Sequence, residues 1–156
     1  FIKKRKYILL YILTYAFNPG TYIVDVLNYV SQKFDYDIIV LSGEIDNLNV
    51  DVINKTDSSI SEFIDLFAHA EMIITNSFHG TAFSLIFEKP LISIVPSLTS
   101  GDERQISLLQ QVGLYNCMVT IGQNLTTINP FYDIQKLRKS LDLLRKNSMN
   151  WLESVI

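Results

Sequence analysis

The sequence has few of the residues from which several common functional sites are built. Its single cysteine, Cys117, excludes a disulfide framework and a cysteine zinc site, and one thiol is compatible with a reducing cytosol. The six glycines form neither a G-x-G-x-x-G fingerprint nor a Walker loop, so NAD and ATP are not supported. His69 and His79 have no fixed carboxylate triad beside them, so the sequence predicts no metal site.

Positive charge and long apolar runs are also scarce. With 13 Lys and Arg against 16 Asp and Glu, the net charge is −3, and no basic stripe suggests nucleic acid. The basic start, residues 3–6, is interpreted as a solvated lead-in, with contact to anionic lipid or a partner domain as the alternative. The strongest apolar run, residues 7–13, is far shorter than the ~20 residues of a membrane span. We therefore expect a cytoplasmic protein, with the basic start as its one feature suited to the inner membrane face.

The length predicts one domain with a substantial core. The chain has 156 residues, of which 48% are hydrophobic, so residues 1–156 are expected to fold as a single unit. It begins at Phe1, without an initiating Met, and enters a predicted strand almost at once. From this we expect a segment of a longer protein whose N-terminal partner domain is absent.

Short predicted strands alternate with predicted helices along the chain. Strands are predicted at residues 6–15, 37–41 and 49–53, and helices at 21–34 and 103–112, with a further helix between them that ends within residues 63–71. Ser58 or Ser59 opens the second helix, with Glu62 placed for a capping box. Residues 131–156 have the apolar spacing of a long amphipathic helix lying over the domain. The pattern predicts an α/β fold with a doubly wound, Rossmann-like parallel sheet.

A predicted β-α-β unit lies at the centre of the chain. Residues 72–74 form an apolar strand, and residues 75–77 are polar types that cap helices. Helical spacing follows from Phe78, residues 89–90 end the helix, and residues 91–95 form the next strand. Ligands of parallel sheets bind beyond the carboxyl ends of the strands, where His79 lies.

The start of this helix is a predicted anion site. Its first amides lack intrahelical partners and carry the positive end of the helix dipole, which suits a phosphate or carboxylate. Gly80 permits close backbone approach, and the Ser77 and Thr81 hydroxyls are hydrogen-bond donors. His79 is suited to hold or deliver a proton, although a hydrogen-bonded structural histidine is the alternative. For His69, at a helix end, a favourable interaction with the dipole is the expected role.

Three loops are expected to converge on His79: residues 16–20, 42–46 and 96–103. Loops at strand ends carry function because the sheet holds them in place. Arg104, next to the third loop, is placed to grip a carboxylate with two hydrogen bonds. Pairing of Arg104 with Glu103, Asp102 or its own helix face is the alternative.

Residues 74–90, preceded by residues 63–70 and followed by residues 104–114, resemble the C-terminal half of a polysaccharide pyruvyl transferase. Members of that family resemble glycosyltransferases built from two Rossmann domains. They transfer the enolpyruvyl unit of phosphoenolpyruvate to a sugar as a ketal. The resemblance thus implies a bacterial enzyme of surface polysaccharide or exopolysaccharide biosynthesis, with phosphoenolpyruvate as donor substrate and no separate cofactor.

The resemblance implies that His79 contacts the donor. Many members carry an arginine two residues before this histidine, whereas this chain has Ser77, so Arg104 becomes the candidate for the missing cation. Acceptor contacts are expected from the missing partner domain. The residues expected to bind the donor around His79 are Asn76, Ser77, Phe78, Gly80, Thr81 and Arg104.

Two other functions stay open. A glycosyltransferase or nucleotide-sugar epimerase half with the same architecture would place a pyrophosphate at the helix start. A non-catalytic binding domain would have lost the donor site, and Ser77 in the arginine position is the feature that favours it.

Overall fold

Six parallel strands form one sheet in the computed structural model, which describes residues 5–15, 17–42, 45, 50–98 and 103–156. The order across the sheet is β3-β2-β1-β4-β5-β6. The predicted doubly wound, Rossmann-like α/β fold is therefore confirmed. The strands are β1 (Tyr7–Tyr11), β2 (Asp37–Val40), β3 (Ile53–Asn54), β4 (Met72–Thr75), β5 (Leu91–Val95) and β6 (Met118–Thr120).

The central strands are apolar on both faces because helices cover both faces. In β1, Leu9 points into one core cluster, whereas Ile8 and Leu10 point into the other, and all three are fully buried. Successive side chains of a strand alternate between faces, so burial on both sides requires an uninterrupted apolar run. This is why residues 7–10 are readable as a central strand from sequence.

The helices divide unequally between the two faces. Among the described residues, α1 (Tyr22–Lys33) packs Val26 and Leu27 into one core cluster. The opposite cluster takes one or more buried side chains from each of the other helices. These are α2 (Ile60–His69), α3 (Phe78–Ile86), α4 (Glu103–Gln111) and α5 (Ile134–Val155).

Two helix ends confirm signals that are local in sequence. Ser59 caps α2: its Oγ accepts a hydrogen bond from the Glu62 N–H at 3.3 Å, and the Glu62 carboxylate accepts one from the Ser59 N–H at 2.9 Å. The bond from the Ser59 N–H and a second one from the Ser59 hydroxyl, at 2.8 Å, stabilise the charged carboxylate and lower the pKa of Glu62. Gly113 follows α4 with a φ of +73°, a backbone conformation that glycine adopts without strain.

The edge strands differ from the sequence prediction. β3 occupies Ile53–Asn54 rather than residues 49–53, and β6 was not predicted at all. Both are so short that periodicity cannot identify them, and pairing with β2 and β5 decides where they lie. Several parts of the chain lie outside the described residues: they include residues 1–4, with the first half of the basic start, residue 16, most of the loop predicted at 42–46, and residues 99–102.

The tail is helical, but only its first half packs on the domain. Asp133 caps α5 by accepting hydrogen bonds from the Gln135 and Lys136 amides, and Leu137 is fully buried. Arg138 donates to both carboxylate oxygens of Glu88 at 2.5 and 2.7 Å, which fixes the helix to the turn before β5. Residues 145–156 are all exposed, so the apolar spacing of the tail extends beyond its contact with the sheet. Within the described part of the chain, no helix is long and apolar enough to cross a membrane.

The burial of Cys117 generates a chemical prediction. The thiol is 1% exposed, and burial raises its pKa to about 12. At pH 8 roughly 1 in 10⁴ of such groups is thiolate, the form that reacts with disulfide reagents. We expect the native protein to resist thiol labelling at pH 8 and to react with one equivalent in denaturant. Rapid labelling of the native state would contradict the buried position.

Candidate functional site

The carboxyl end of β4 is joined to α3 by a tightly bonded turn. The Thr75 hydroxyl donates to the Tyr11 carbonyl at 2.6 Å and accepts from the Ser77 N–H at 3.0 Å. Ser77 is the N-cap of α3, and its Oγ accepts from the Gly80 N–H at 3.4 Å. The predicted cap is therefore present, and Thr75 connects it to the neighbouring strand.

The strand order places this turn where ligands of open α/β sheets bind. β1 and β4 are neighbours, α1 follows β1 on one face of the sheet, and α3 follows β4 on the other. The two connections therefore leave the sheet in opposite directions and open a crevice at its carboxyl edge. His79 and Phe78 are the first-turn residues of α3 at that edge.

Asn76 connects the two sides of the crevice. Its Oδ1 accepts from the Leu13 N–H at 2.7 Å, and its Nδ2 donates to the carbonyls of Leu13 at 3.1 Å and Phe17 at 2.8 Å. The side chain is 2% exposed, so the amide faces protein rather than solvent. Its contribution in this structure is to hold the loop after β1 beside the start of α3, and direct donor contact by Asn76 stays a prediction.

A second polar side chain fixes the same loop from β2. The Ser42 Oγ accepts from the Ile12 N–H at 2.8 Å and donates to the Ile12 carbonyl at 2.7 Å. Ser42 follows β2, so the strand ends of β1, β2 and β4 are joined by side-chain bonds to backbone. Of the three loops expected at His79, two are thus anchored near the end of β1, through Ser42 and through the bond of Asn76 to Phe17, and convergence of all three on His79 stays a prediction.

His79 and Arg104 come from different helices and approach the same aromatic ring. The His79 side chain is exposed, and its ring centroid lies 5.6 Å from that of Phe78. The Arg104 guanidinium carbon lies 5.3 Å from the Phe78 centroid, within cation-π range. Three of the predicted site residues are therefore brought together, including the cation expected from α4.

The first-turn amides complete the arrangement. No hydrogen-bond acceptor is found for the Phe78 and His79 N–H groups among the described residues. The Thr81 N–H already bonds the Ser77 carbonyl at 2.9 Å. Two first-turn amides with the helix dipole, an exposed imidazole and a guanidinium thus occur together around Phe78, which is an arrangement suited to an anion.

Gly80 and Thr81 lie beneath this surface. A Cβ at Gly80 would stand 2.3 Å from Thr75 Oγ1 and 3.0 Å from Tyr11 Cδ1, so glycine is required for α3 to lie against β4. Thr81 is fully buried, and its Oγ1 lies 3.0 Å from Ser93 Oγ. The structure thus gives both residues a packing role, and direct donor binding by Gly80 and Thr81 stays a prediction.

Sequence reasoning missed Ser93 and Gln105, which continue the Thr81 contact. Gln105 is 1% exposed, and its Nε2 donates to Ser93 Oγ and, at 3.4 Å, to the Ile94 carbonyl. A serine inside the apolar strand of residues 91–95 is a readable signal of a buried polar network. Gln105 also stands on the helix face that carries Leu109, where an apolar residue is expected.

His69 lies apart from this arrangement. It is exposed at the end of α2, and its Nδ1 lies 3.0 Å from the Asp65 carbonyl and 3.1 Å from an Asp65 carboxylate oxygen. No group of three or more His, Cys, Asp or Glu suited to a metal occurs in the described ranges.

Comparison with known proteins gives one family match. The model of the polysaccharide pyruvyl transferase family matches residues 1–97, which include β1, β4, α3 and His79. Arg104 and Gln105 lie outside the matched stretch. A search of curated proteins finds no significant match.

Solved structures with the same fold are about twice as long. The UDP-GlcNAc 2-epimerase from Methanocaldococcus jannaschii has a TM-score of 0.54 and 17% identity, with 90% of this chain covering 46% of that one. Its complex with UDP-GlcNAc and UDP gives a TM-score of 0.54 and 18% identity, with 91% of this chain covering 46% of that one. A structure described as the glycotransferase of kitacinnamycin gives a TM-score of 0.58 and 12% identity, with 98% covering 43%. The chain therefore spans about half the length of these proteins, and at such identities the likeness shows the fold alone.

The contact between α3 and β4 generates a stability prediction. Gly80→Ala forces a Cβ against Thr75, and overpacking of this kind costs about 1–3 kcal/mol. For a domain of this size Tm then falls by about 2–4 °C per kcal/mol. His79→Ala, in the same turn but exposed, is the matched control and is expected to leave Tm nearly unchanged. Calorimetry on the two variants checks this, and equal melting temperatures would contradict it.

Proposed function

Because the chain belongs to the polysaccharide pyruvyl transferase family, we propose that it binds phosphoenolpyruvate at the start of α3 and transfers its enolpyruvyl unit to a sugar. The observation that carries this proposal is the grouping of the His79 imidazole, the Arg104 guanidinium and two first-turn amides around Phe78. The proposed context is the biosynthesis of a surface polysaccharide.

The charge of phosphoenolpyruvate matches the two positive features of the site. The donor carries a phosphate and a carboxylate. The Phe78 and His79 amides, with the helix dipole behind them, suit the phosphate, on which charge increases as it leaves. The Arg104 guanidinium suits the planar carboxylate, which it can bind through two parallel hydrogen bonds. In this arrangement Arg104 supplies the permanent cation from α4, while Ser77 caps α3.

The proposed reaction needs one proton delivered and two removed. Two hydroxyls of one sugar form bonds to the enol carbon of phosphoenolpyruvate, the methylene carbon gains a proton to become methyl, and the C–O bond to phosphate breaks. One hydroxyl proton thus balances the new methyl group, and the other leaves with inorganic phosphate. An exposed imidazole beside the phosphate site is suited to move one of these protons, which is the role proposed for His79.

A nucleotide-sugar reaction is the second candidate. It is favoured by the fold shared with an epimerase whose complex contains UDP-GlcNAc and UDP. The same helix start would then bind a pyrophosphate. The family match favours phosphoenolpyruvate over this candidate. A third candidate is a non-catalytic binding domain that has lost the donor site, and Ser77 in the arginine position is the feature that favours it.

The acceptor is proposed to bind between this chain and a partner domain. The chain spans 46% of the epimerase structure, and the described site is open beside His79. We expect this chain alone to bind the donor without turning it over, because the opposing acceptor surface comes from elsewhere. Both substrates are expected on the cytoplasmic side of the membrane.

Two substitutions in the complete enzyme test separate parts of the proposal. His79→Ala removes the proton-transfer group and should lower kcat by roughly 10²- to 10⁴-fold. Arg104→Ala removes a carboxylate partner and should raise KM for phosphoenolpyruvate by roughly 10-fold or more. Steady-state release of inorganic phosphate, measured with a sugar acceptor, reports both effects.

His69→Ala is the matched control, since this exposed histidine bonds Asp65 and, among the described residues, no other side chain. It should leave both kinetic constants near wild type. If His79→Ala keeps near-normal turnover but melts early, the imidazole is structural and the proposed role is wrong.

A further inference from the structure

A buried polar network connects α3, β5 and α4 beneath the candidate site. It consists of Thr81, Ser93 and Gln105, which are 0%, 0% and 1% exposed. The Thr81 and Ser93 hydroxyl oxygens lie 3.0 Å apart, and the Gln105 amide donates to the Ser93 hydroxyl. Each of the three side chains is bonded to another of the three, so this polar network is a built feature rather than an incidental burial of polar groups.

This polar network joins the start of α3, which carries His79, to the start of α4, which carries Arg104. Thr81 is two residues after His79 in α3, and Gln105 directly follows Arg104 in α4. Ser93 lies between them on β5, which pairs with β4. Ser93 therefore links the residue that follows Arg104 to a residue in the same helix turn as His79.

An apolar residue at position 105 would bury the same surface, but its contacts would lack the directionality of hydrogen bonds. Elsewhere on its inward face α4 presents Ile106 and Leu109, whose contacts resist separation but permit small rotations and slides. A buried amide, in contrast, must keep its partners within hydrogen-bond distance or remain unpaired at a cost. Gln105 thus fixes the rotation of α4 about its axis, which burial alone does not.

We propose that Gln105 is a positioning residue that, through Ser93 and Thr81, holds Arg104 over Phe78 beside His79. The proposal rests on the proposed function, because the expected consequence is a change in phosphoenolpyruvate affinity. The position of Arg104 over Phe78 can nevertheless be tested without any ligand. Gln105 itself is too deeply buried to touch the donor.

The first experiment measures the position of Arg104 in the ligand-free protein by NMR. Nuclei above an aromatic ring are shifted upfield, so the Arg104 side-chain resonances report the 5.3 Å contact with Phe78. Phe78→Leu identifies that shift by removing the ring. Gln105→Met keeps the length of the side chain but removes its donor, and should abolish most of the same shift.

Gln111→Met is the matched control on the same helix. Gln111 is exposed and donates to Ser107 Oγ within its own helix, so this variant should keep the Arg104 shift. If Gln105→Met fails to fold, Ser93→Ala is the second variant. It removes the hydroxyl in the middle of the polar network and changes the side chain less. A folded Gln105→Met or Ser93→Ala protein with an unchanged Arg104 shift would overturn the proposal.

The second experiment is a double-mutant cycle on phosphoenolpyruvate affinity in the complete enzyme. Gln105→Met alone should weaken binding by roughly 10-fold, but in the Arg104→Ala background it should change binding by less than about 2-fold. Equal effects in both backgrounds would show that Gln105 does not act through Arg104, and would overturn the proposal. The pH profile of kcat should stay unchanged, because His79 keeps its place.

The two experiments separate failure of this proposal from failure of the proposed function. If wild-type enzyme does not bind phosphoenolpyruvate, the function is wrong, and the NMR shift alone decides the positioning role. If wild-type enzyme binds it but the cycle is additive, the function stands and the positioning role is wrong.

Discussion

The absence of a side chain at Gly80 is the constraint on which this site depends. It lets the first turn of α3 lie against Thr75, at a place where a Cβ would come within 2.3 Å of the Thr75 hydroxyl oxygen. That hydroxyl also bonds the end of β1 and the amide of Ser77. The helix start is thereby held at the carboxyl edge of the sheet, with its free amides directed to the crevice. The glycine predicted to permit close ligand approach thus serves helix-strand packing.

A division of roles follows from this contact. Buried, hydrogen-bonded side chains form the support. Asn76 holds the loop after β1, and the polar network of Thr81, Ser93 and Gln105 connects α4 to β5 and α3. The exposed groups above it, the His79 imidazole and the Arg104 guanidinium, are those with chemistry to offer. Such a support keeps reacting groups in place without adding charge to the interior.

Local signals in the sequence predicted much of the fold. The Ser59 capping box, the Ser77 cap and β5 each depend on residues close together in the chain, and each is confirmed. The support of the site depends instead on distant pairs: Asn76 bonds Leu13 across 63 positions, and Gly80 meets Tyr11. Such contacts exist only once the sheet order is fixed, so the sequence identified Asn76 and Gly80 as site residues but could not reveal their packing roles. Likewise, β6 is too short to be recognised before it pairs with β5.

The most direct test of the account is amide mapping of donor binding on ¹⁵N-labelled protein. Phosphoenolpyruvate is expected to shift the Phe78 and His79 amide resonances and the Arg104 side chain, and UDP-GlcNAc at equal concentration should leave these resonances in place. Inorganic phosphate should shift the amides while affecting Arg104 less, since it lacks the carboxylate. Shifts caused by UDP-GlcNAc but not by phosphoenolpyruvate, or shifts remote from the start of α3, would contradict the account.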